Sequence, residues 1–263
     1  MTSLALDRVF GPFQTVLDPI RIDAFKEVVG ITPSGEVPAT FLAMSAWAVQ
    51  WDAFGLIPAE VMNAAGARVH GEHEIRVLSP LRPGENLETN SRLIGVRPNR
   101  AGSVVIQRID HHRGEELIAQ QWWSLFLGGV QLDAVGDAAP DHIFPESARD
   151  SFTGTTSTYV SNATAAAYAE VSGDWAEHHF NVEAAARSGA AAPFLHGLCT
   201  FAICANAAAD GRAIKRIAAR FAAPAILGNE INVDVFEIGN NSRVFEANCA
   251  GAKVATNGVV EFA

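Results

Sequence analysis

The chain has 263 residues, 49% hydrophobic and 18% charged, which is enough to bury a core and excludes a disordered polymer. A formal net charge of −10 argues against general nucleic-acid binding, which needs a basic face, while leaving room for an anionic ligand on a local basic cluster. The three cysteines, Cys199, Cys204 and Cys249, lack metal-type spacing and do not pair off, which fits a reducing compartment. The opening MTSLALDRVFGPFQ has no basic start followed by an apolar run, so no signal peptide is expected. No apolar stretch approaches the ~18–20 residues of a membrane helix. The expectation is a cytoplasmic protein with no membrane or nucleic-acid partner.

In chain order, a short helix is predicted over residues 20–30, then a more apolar one over 40–54. Small and aromatic residues lie almost all round the second, as in a buried helix. Strands follow at HEIRVLSPL, LETNSRLIGV, SVVIQRIDHH and LIAQQWWSLFL, separated by turn signals such as RPNRAG and HHRGEE. The stretch 136–157, with DAAPD and DSFTGTTS, reads as a linker. The grammar then repeats. Helices are predicted over 164–172 and 197–209, followed by strands at KRIAARFAAP, INVDVFEI, SRVFEANCA and near VATNGVVEF. Short turns between consecutive strands imply antiparallel meanders.

The halves also match residue by residue. Phe25–Gly30 corresponds to Tyr168–Gly173, Phe41-Leu42 to Phe194-Leu195, and Pro80…Gly84 to Pro224…Gly228, in the same order. Three matches in register indicate two copies of one unit. This predicts an α+β chain with repeats at 1–135 and 158–263, their sheets joined edge to edge so that fewer strand edges stay exposed.

The copies differ where chemistry would sit. Asp174 follows Gly173, whereas Ile31 follows Gly30; His196-Gly197 stand where the first copy has Ala43-Met44. The first copy also lacks a histidine in ITPSGEV, 31–37. A role shared by both copies would not produce this asymmetry, so the second half is the expected seat of chemistry. The first half is expected to supply scaffold and an apolar pocket shaped by Phe41, Met44 and Trp47.

The run SGDWAEHHFNVEAAARSGAAAPFLHGLCTF resembles the signature of the MaoC-like dehydratases, the R-specific (type 2) enoyl-CoA hydratases. It carries Asp174, His179 five positions later, and Leu195-His196-Gly197-Leu198-Cys199 with Gly197 eighteen positions after His179. RFAAPAILGNE resembles the family's strand and turn after the catalytic helix, and the first half resembles the degenerate N-terminal unit of two-repeat members. The resemblance implies a double hot-dog fold and reversible hydration of a trans-2-enoyl thioester of coenzyme A, or of acyl carrier protein, to the (R)-3-hydroxyacyl product. Coenzyme A is then part of the substrate, with no separate cofactor and no metal. The chain departs from many members at Ala176 and Glu177, where they have Asn and Pro.

Hydration needs a base for water, a proton for C2 and a donor for the thioester oxygen. An imidazole with a pKa of roughly 6.5 and a nearby carboxylate can manage the protons, which assigns Asp174 and His179 to one water. The Gly197 N–H, at the start of an apolar helix, is the expected oxyanion donor. His196 is expected to be buried and to shape the turn, and with Trp175 and Ala176 to lie beside the substrate. Coenzyme A phosphates need a basic cluster, for which Arg187, Lys215 and Arg216, with Arg212 and Arg220, are the candidates. His178 is expected to be an exposed neighbour and Cys199 a buried small hydrophobe. His111 and His112 look like solvated hairpin residues, and His70 and His73 share a strand face without a metal cluster. Trp122-Trp123 alternate faces, so one should pack in the core. A thioesterase and a non-catalytic thioester-binding subunit are the competing readings. A homodimer is compatible with the pattern, although two repeats already form one pseudo-dimer.

Overall fold

The computed structural model describes residues 4–6, 8–31 and 35–263. Part of the opening MTSLALD and residues 32–34 of ITPSGEV lie outside them. The first repeat runs β1 (Phe10–Val16), α1 (Pro19–Val29), a tight turn of helix at Ala39–Leu42 leading into α2 (Ala43–Phe54), α3 (Ala59–Ala64), then β2 (Ala67–Val77), β3 (Asn86–Asn99), β4 (Gly102–Arg113) and β5 (Glu116–Gly128). After the two-residue β6 (Val135–Gly136) and a helical turn at Glu146–Ser151, the second repeat runs β7 (Phe152–Val160), α4 (Asn162–Ser172), α5 (Val182–Arg187), α6 (Gly197–Ala209), β8 (Ile214–Phe221), β9 (Asn229–Glu237), β10 (Ser242–Cys249) and β11 (Ala252–Phe262).

Local signals set the short helices. Asp18 caps α1 by accepting from the Ile20 N–H at 2.8 Å, with Pro19 at the first helical position. Ser161 and Thr164 form a reciprocal capping box on α4. Both helices end on a left-handed glycine, Gly30 at φ 75° and Gly173 at φ 79°, a conformation that disfavours any residue with a Cβ. The repeat extends to single hydrogen bonds: Gly84 N–H donates to Leu17 O at 2.7 Å, and Gly228 N–H to Val160 O at 2.8 Å.

The strands form one antiparallel sheet in the order β1-β3-β4-β5-β2-β8-β11-β10-β9-β7, with β6 beside β3. The two halves of that order mirror each other. At the junction Glu74 opposes Ala218, and Ile75 and His73 oppose Ile217 and Ala219, so a pseudo-twofold axis passes through the Glu74·Ala218 pair. Helices α2 and α6 lie on the same face of the sheet, and Phe41, Met44, Val49, Leu198, Phe201 and Ile203 belong to one core.

Two strands escape the sequence reading. No strand is predicted at FGPFQTV, and most of FTGTTSTYV falls in the expected linker, yet β1 and β7 pair with β3 and β9. They are the two ends of the sheet, where only one edge of each strand needs a partner and Gly and Pro are tolerated. Residues 152–157 of the expected linker are therefore strand. The rest crosses the outer face: Phe144 and Ala148 pack on Phe236, Val244 and Val259.

The buried histidines correct the reading as well. His111 is fully buried, not solvated, because strand alternation turns it inward opposite Thr89. Its Nδ1 lies 2.9 Å from Thr89 Oγ1 and its Nε2 2.8 Å from Gln121 Nε2. His112 is half-buried. His73 Nε2 bonds Gln121 Oε1 at 3.0 Å, and His70 stacks on Trp123 with ring centroids 3.8 Å apart. Trp123 joins the core as expected, and Trp122 is buried on the outer face with Ile94 and Ile106.

Arg216 ties the repeats together. Its guanidinium reaches Glu74 Oε1 at 2.9 Å and Oε2 at 3.2 Å across the junction, Glu261 Oε1 at 2.8 Å, and the Asp141 carbonyl at 2.8 Å. Glu74 is almost wholly buried. Arg216→Ala leaves that carboxylate with Arg76 alone and should cost about 2–3 kcal/mol of stability, read as a lower urea midpoint.

Burial pushes His73, His111 and His196 down to about 4, with neighbouring His179 adding to the effect at His196. Their folded values lie below the unfolded value of roughly 6.5, so the unfolded chain binds more protons between those limits. Stability should therefore fall as the pH drops from about 6.5 towards 4, and His70, which burial also holds well below its usual value, acts in the same direction. Urea midpoints measured across that window check the slope, and His111→Gln should flatten it by about one proton.

Candidate active site

Helix α4 stops at Gly173, and the next residue, Asp174, is held inward with only 8% exposure. Its backbone N–H donates to Ser172 Oγ at 3.1 Å, and its Oδ1 accepts from the Ala176 N–H at 3.2 Å. That turn needs no side chain at position 176, so the alanine still supports the carboxylate through its backbone. Trp175 points outward, 56% exposed, and stacks on Phe180 with centroids 5.5 Å apart.

The tight turn Glu177–His179 then brings His179 back, buried at 4% exposure. Its Nδ1 lies 2.8 Å from the Phe194 carbonyl, which can only accept, so Nδ1 carries the proton and a neutral ring has its lone pair on Nε2. That Nε2 faces Asp174 Oδ2 at 3.7 Å, too long for a direct hydrogen bond. Phe194 is itself pinned by pairing with Ile226, and Leu195 N–H donates to Ala225 O at 2.8 Å. The neighbouring His178 stacks on Phe194 and is half-buried; burial followed by His179 lowers its pKa.

His196 sits at the foot of α6, 1% exposed, where its Nε2–H donates to the Asp174 carbonyl at 2.9 Å. Its ring stacks on His179 with centroids 3.7 Å apart and planes 27° from parallel. It thus braces both acidic corner and base, and the turn-shaping role expected of it agrees with these contacts. Gly197 begins α6 and is exposed; a Cβ there would stand 3.9 Å from the Phe221 ring. Its N–H belongs to the first turn, whose donors have no carbonyl within the helix. Cys199 is fully buried, and burial raises its thiol well above the usual range, as for a packed small hydrophobe.

Asp174, His179 and His196 offer three donor atoms within 4.8 Å of one another. The His179 and His196 ring planes stand 27° apart.

The predicted basic cluster is not assembled here. Arg216 is consumed in the junction, and Lys215 beside it is exposed about 20 Å of strand from Phe221. Arg220 shares the outer face of β8 with Arg216, and Arg212 bonds the Asn240 carbonyl. Arg187 alone stays in the neighbourhood, on α5, paired with Glu177 at 3.4 Å in solvent. In the first repeat, Phe41 and Met44 line a cavity of about 300 Å³ between β1 and α2, and Trp47 is not among its lining residues.

Residues 144–259 match the family described as MaoC like domain. The chain is 27% identical over 203 residues to mouse peroxisomal multifunctional enzyme type 2; that alignment covers 70% of this chain but only 26% of the mouse protein. A MaoC-like dehydratase from Phytophthora capsici superposes with a TM-score of 0.78 at 19% identity, covering 95% of this chain and 93% of that one. A conserved hypothetical protein of Mycobacterium tuberculosis with a double hotdog fold superposes at 0.64 and 13% identity, over 98% and 96% of the two chains. Among the described residues no helix is long and apolar enough to cross a membrane. The match to the MaoC like domain thus spans the second repeat, which holds Asp174 and His179, and the chain as a whole has the double hot-dog fold.

Proposed function

We propose that the second repeat catalyses reversible hydration of a trans-2-enoyl-CoA to the (R)-3-hydroxyacyl-CoA. The observation that carries this reading is His179 Nε2 facing Asp174 Oδ2 across 3.7 Å while its Nδ1 bonds the Phe194 carbonyl. Two acceptors at that separation are both satisfied by one water donating a hydrogen to each. As the water oxygen bonds to C3, the pair takes its proton, and a proton passes from the pair to C2, so the dyad ends as it began. Because both groups stand on one side of the substrate, addition is syn. The negative charge that develops on the thioester oxygen is met by the Gly197 N–H and the positive end of α6. Neutral His196 holds the Asp174 backbone and the His179 ring in place without competing for the proton. Trp175 and Phe180 stack on each other close to the dyad, and of the basic candidates Arg187, paired with Glu177, is the one assigned to a coenzyme A phosphate in this reading.

The test is the ultraviolet absorbance of a short trans-2-enoyl-CoA mixed with the protein, with a thiol reagent in parallel. Loss of the conjugated band without thiol release is expected. Asp174→Asn and His179→Ala should each slow it about 10²–10⁴-fold. Gly197→Pro replaces the N–H with a ring methylene at a helical position that suits proline, after a residue already extended at φ −53° and ψ 134°. It should keep the unfolding midpoint and lose about 10²–10³-fold in rate. Thiol release with the band intact would make the protein a thioesterase instead; no change in either well would defeat the catalytic reading.

A further inference from the structure

On the face of the sheet away from α2 and α6, the two repeats treat the same place differently. Strand registers run outward in step from the Glu74·Ala218 pair, through Trp122 to Arg108 and Arg92 in the first repeat, and through Val259 to Val244 and Phe236 in the second. Arg92 and Arg108 therefore occupy the places of Phe236 and Val244. In the second repeat that place is covered by the linker: Phe144 and Ala148 pack on it, and Arg149 reaches Glu246 at 3.3 Å. In the first repeat the matching surface lines a cavity of about 350 Å³.

Two guanidinium groups directly opposite on neighbouring strands repel, and the Phe236·Val244 pair shows that the fold does not require them. Asp110, 8% exposed, holds them together. Its Oδ2 accepts from Arg108 Nε at 3.1 Å, Arg108 Nη2 at 3.0 Å and Arg92 Nη2 at 3.4 Å, and its Oδ1 from Gln120 Nε2 at 2.7 Å. The carboxylate is fully engaged; the guanidinium groups are not. Among the described residues Arg92 has only that long bond, its Nε is buried without a partner, and Arg108 Nη1 has no acceptor. His112 and Asn90 stand on the same wall, and His112 Nδ1 is also buried and unpaired. Two positive groups against one negative leave an excess positive charge in the cavity, on a chain whose formal net charge is −10. Glu88, opposite His112 on this face, is exposed and does not line the cavity.

We propose that this cavity is a binding site for a small oxyanion, a phosphate or carboxylate group gripped between Arg92 and Arg108. Asp110 sets the two forks side by side before the ligand arrives, so little side-chain freedom is lost on binding. The unused guanidinium N–H groups supply charge-assisted hydrogen bonds, which are the strong kind. Val9 and Leu117 give the cavity an apolar wall for a small organic body attached to the anion. The site does not depend on the hydratase reading, whose own phosphate candidate is Arg187 in the second repeat.

The experiment is calorimetric titration of the full chain with inorganic phosphate, pyrophosphate and citrate at matched ionic strength, with chloride as the blank. At least one oxyanion should bind saturably, and the order of affinities decides between a phosphate and a carboxylate ligand. Arg92→Gln and Arg108→Gln should each weaken that binding about tenfold, and Arg108→Lys, which keeps the charge but loses the fork, by less. Arg149→Gln and Arg187→Gln remove the same charge elsewhere and should leave the affinity within about twofold. A urea midpoint for each variant establishes that it is folded before titration. Absence of saturable binding for all three oxyanions overturns the proposal. So does binding that survives both Arg92→Gln and Arg108→Gln, or that is lost with Arg187→Gln.

Discussion

The rest of the structure depends on the antiparallel pairing of β2 with β8. Each repeat has a curved sheet with two edges, and this pairing consumes one edge from each, leaving β1 and β7 at the ends. Because the register centres on Glu74·Ala218, α2 and α6 come side by side on the same face and share one core. The Arg216–Glu74 pair lies across this seam on the outer face. Its worth is mainly in register: a buried carboxylate finds its partner at one alignment of the strands.

Within that frame the candidate site is held by main-chain atoms more than by side chains. The Phe194 carbonyl sets the tautomer of His179, the Asp174 carbonyl sets that of His196, and the Ala176 N–H steadies the Asp174 carboxylate. Substitution of the family's Asn by Ala176 therefore leaves the corner supported. The two stacked rings differ: burial keeps His196 neutral and its Nε2–H on the Asp174 carbonyl, while His179 turns its Nε2 towards Asp174 Oδ2.

The repeats have diverged in a complementary way. Around α6 the helix foot carries His196 and Gly197 and the strands beneath are apolar at Ile217, Val233 and Ala247; around α2 the helix foot has Ala43 and Met44 in their place and the strands beneath carry Thr89, His111 and Gln121, joined by Ser45. A duplicated unit frees one copy from each burden, and the buried polar groups show which burden each copy kept. Groups that cost free energy to bury persist where something makes use of them.

The sequence by itself determined the duplication, the helix ends at Gly30 and Gly173, the antiparallel meanders, and the identity of Asp174, His179 and Gly197 as the residues to examine. Each of these is encoded locally, in turn chemistry, capping residues, hydrophobic period or motif spacing. Only the tertiary structure decided the strands β1 and β7, whose Gly- and Thr-rich runs become strand because a neighbour offers its edge. It also decided the fate of the basic residues, since GRAIKRIAAR reads as one cluster although alternation sends Arg216 into the seam and leaves Lys215 far from the dyad. His111 beside His112 looked solvated for the same reason. Which face of a strand turns inward depends on what packs against it, and that partner comes from a distant part of the chain.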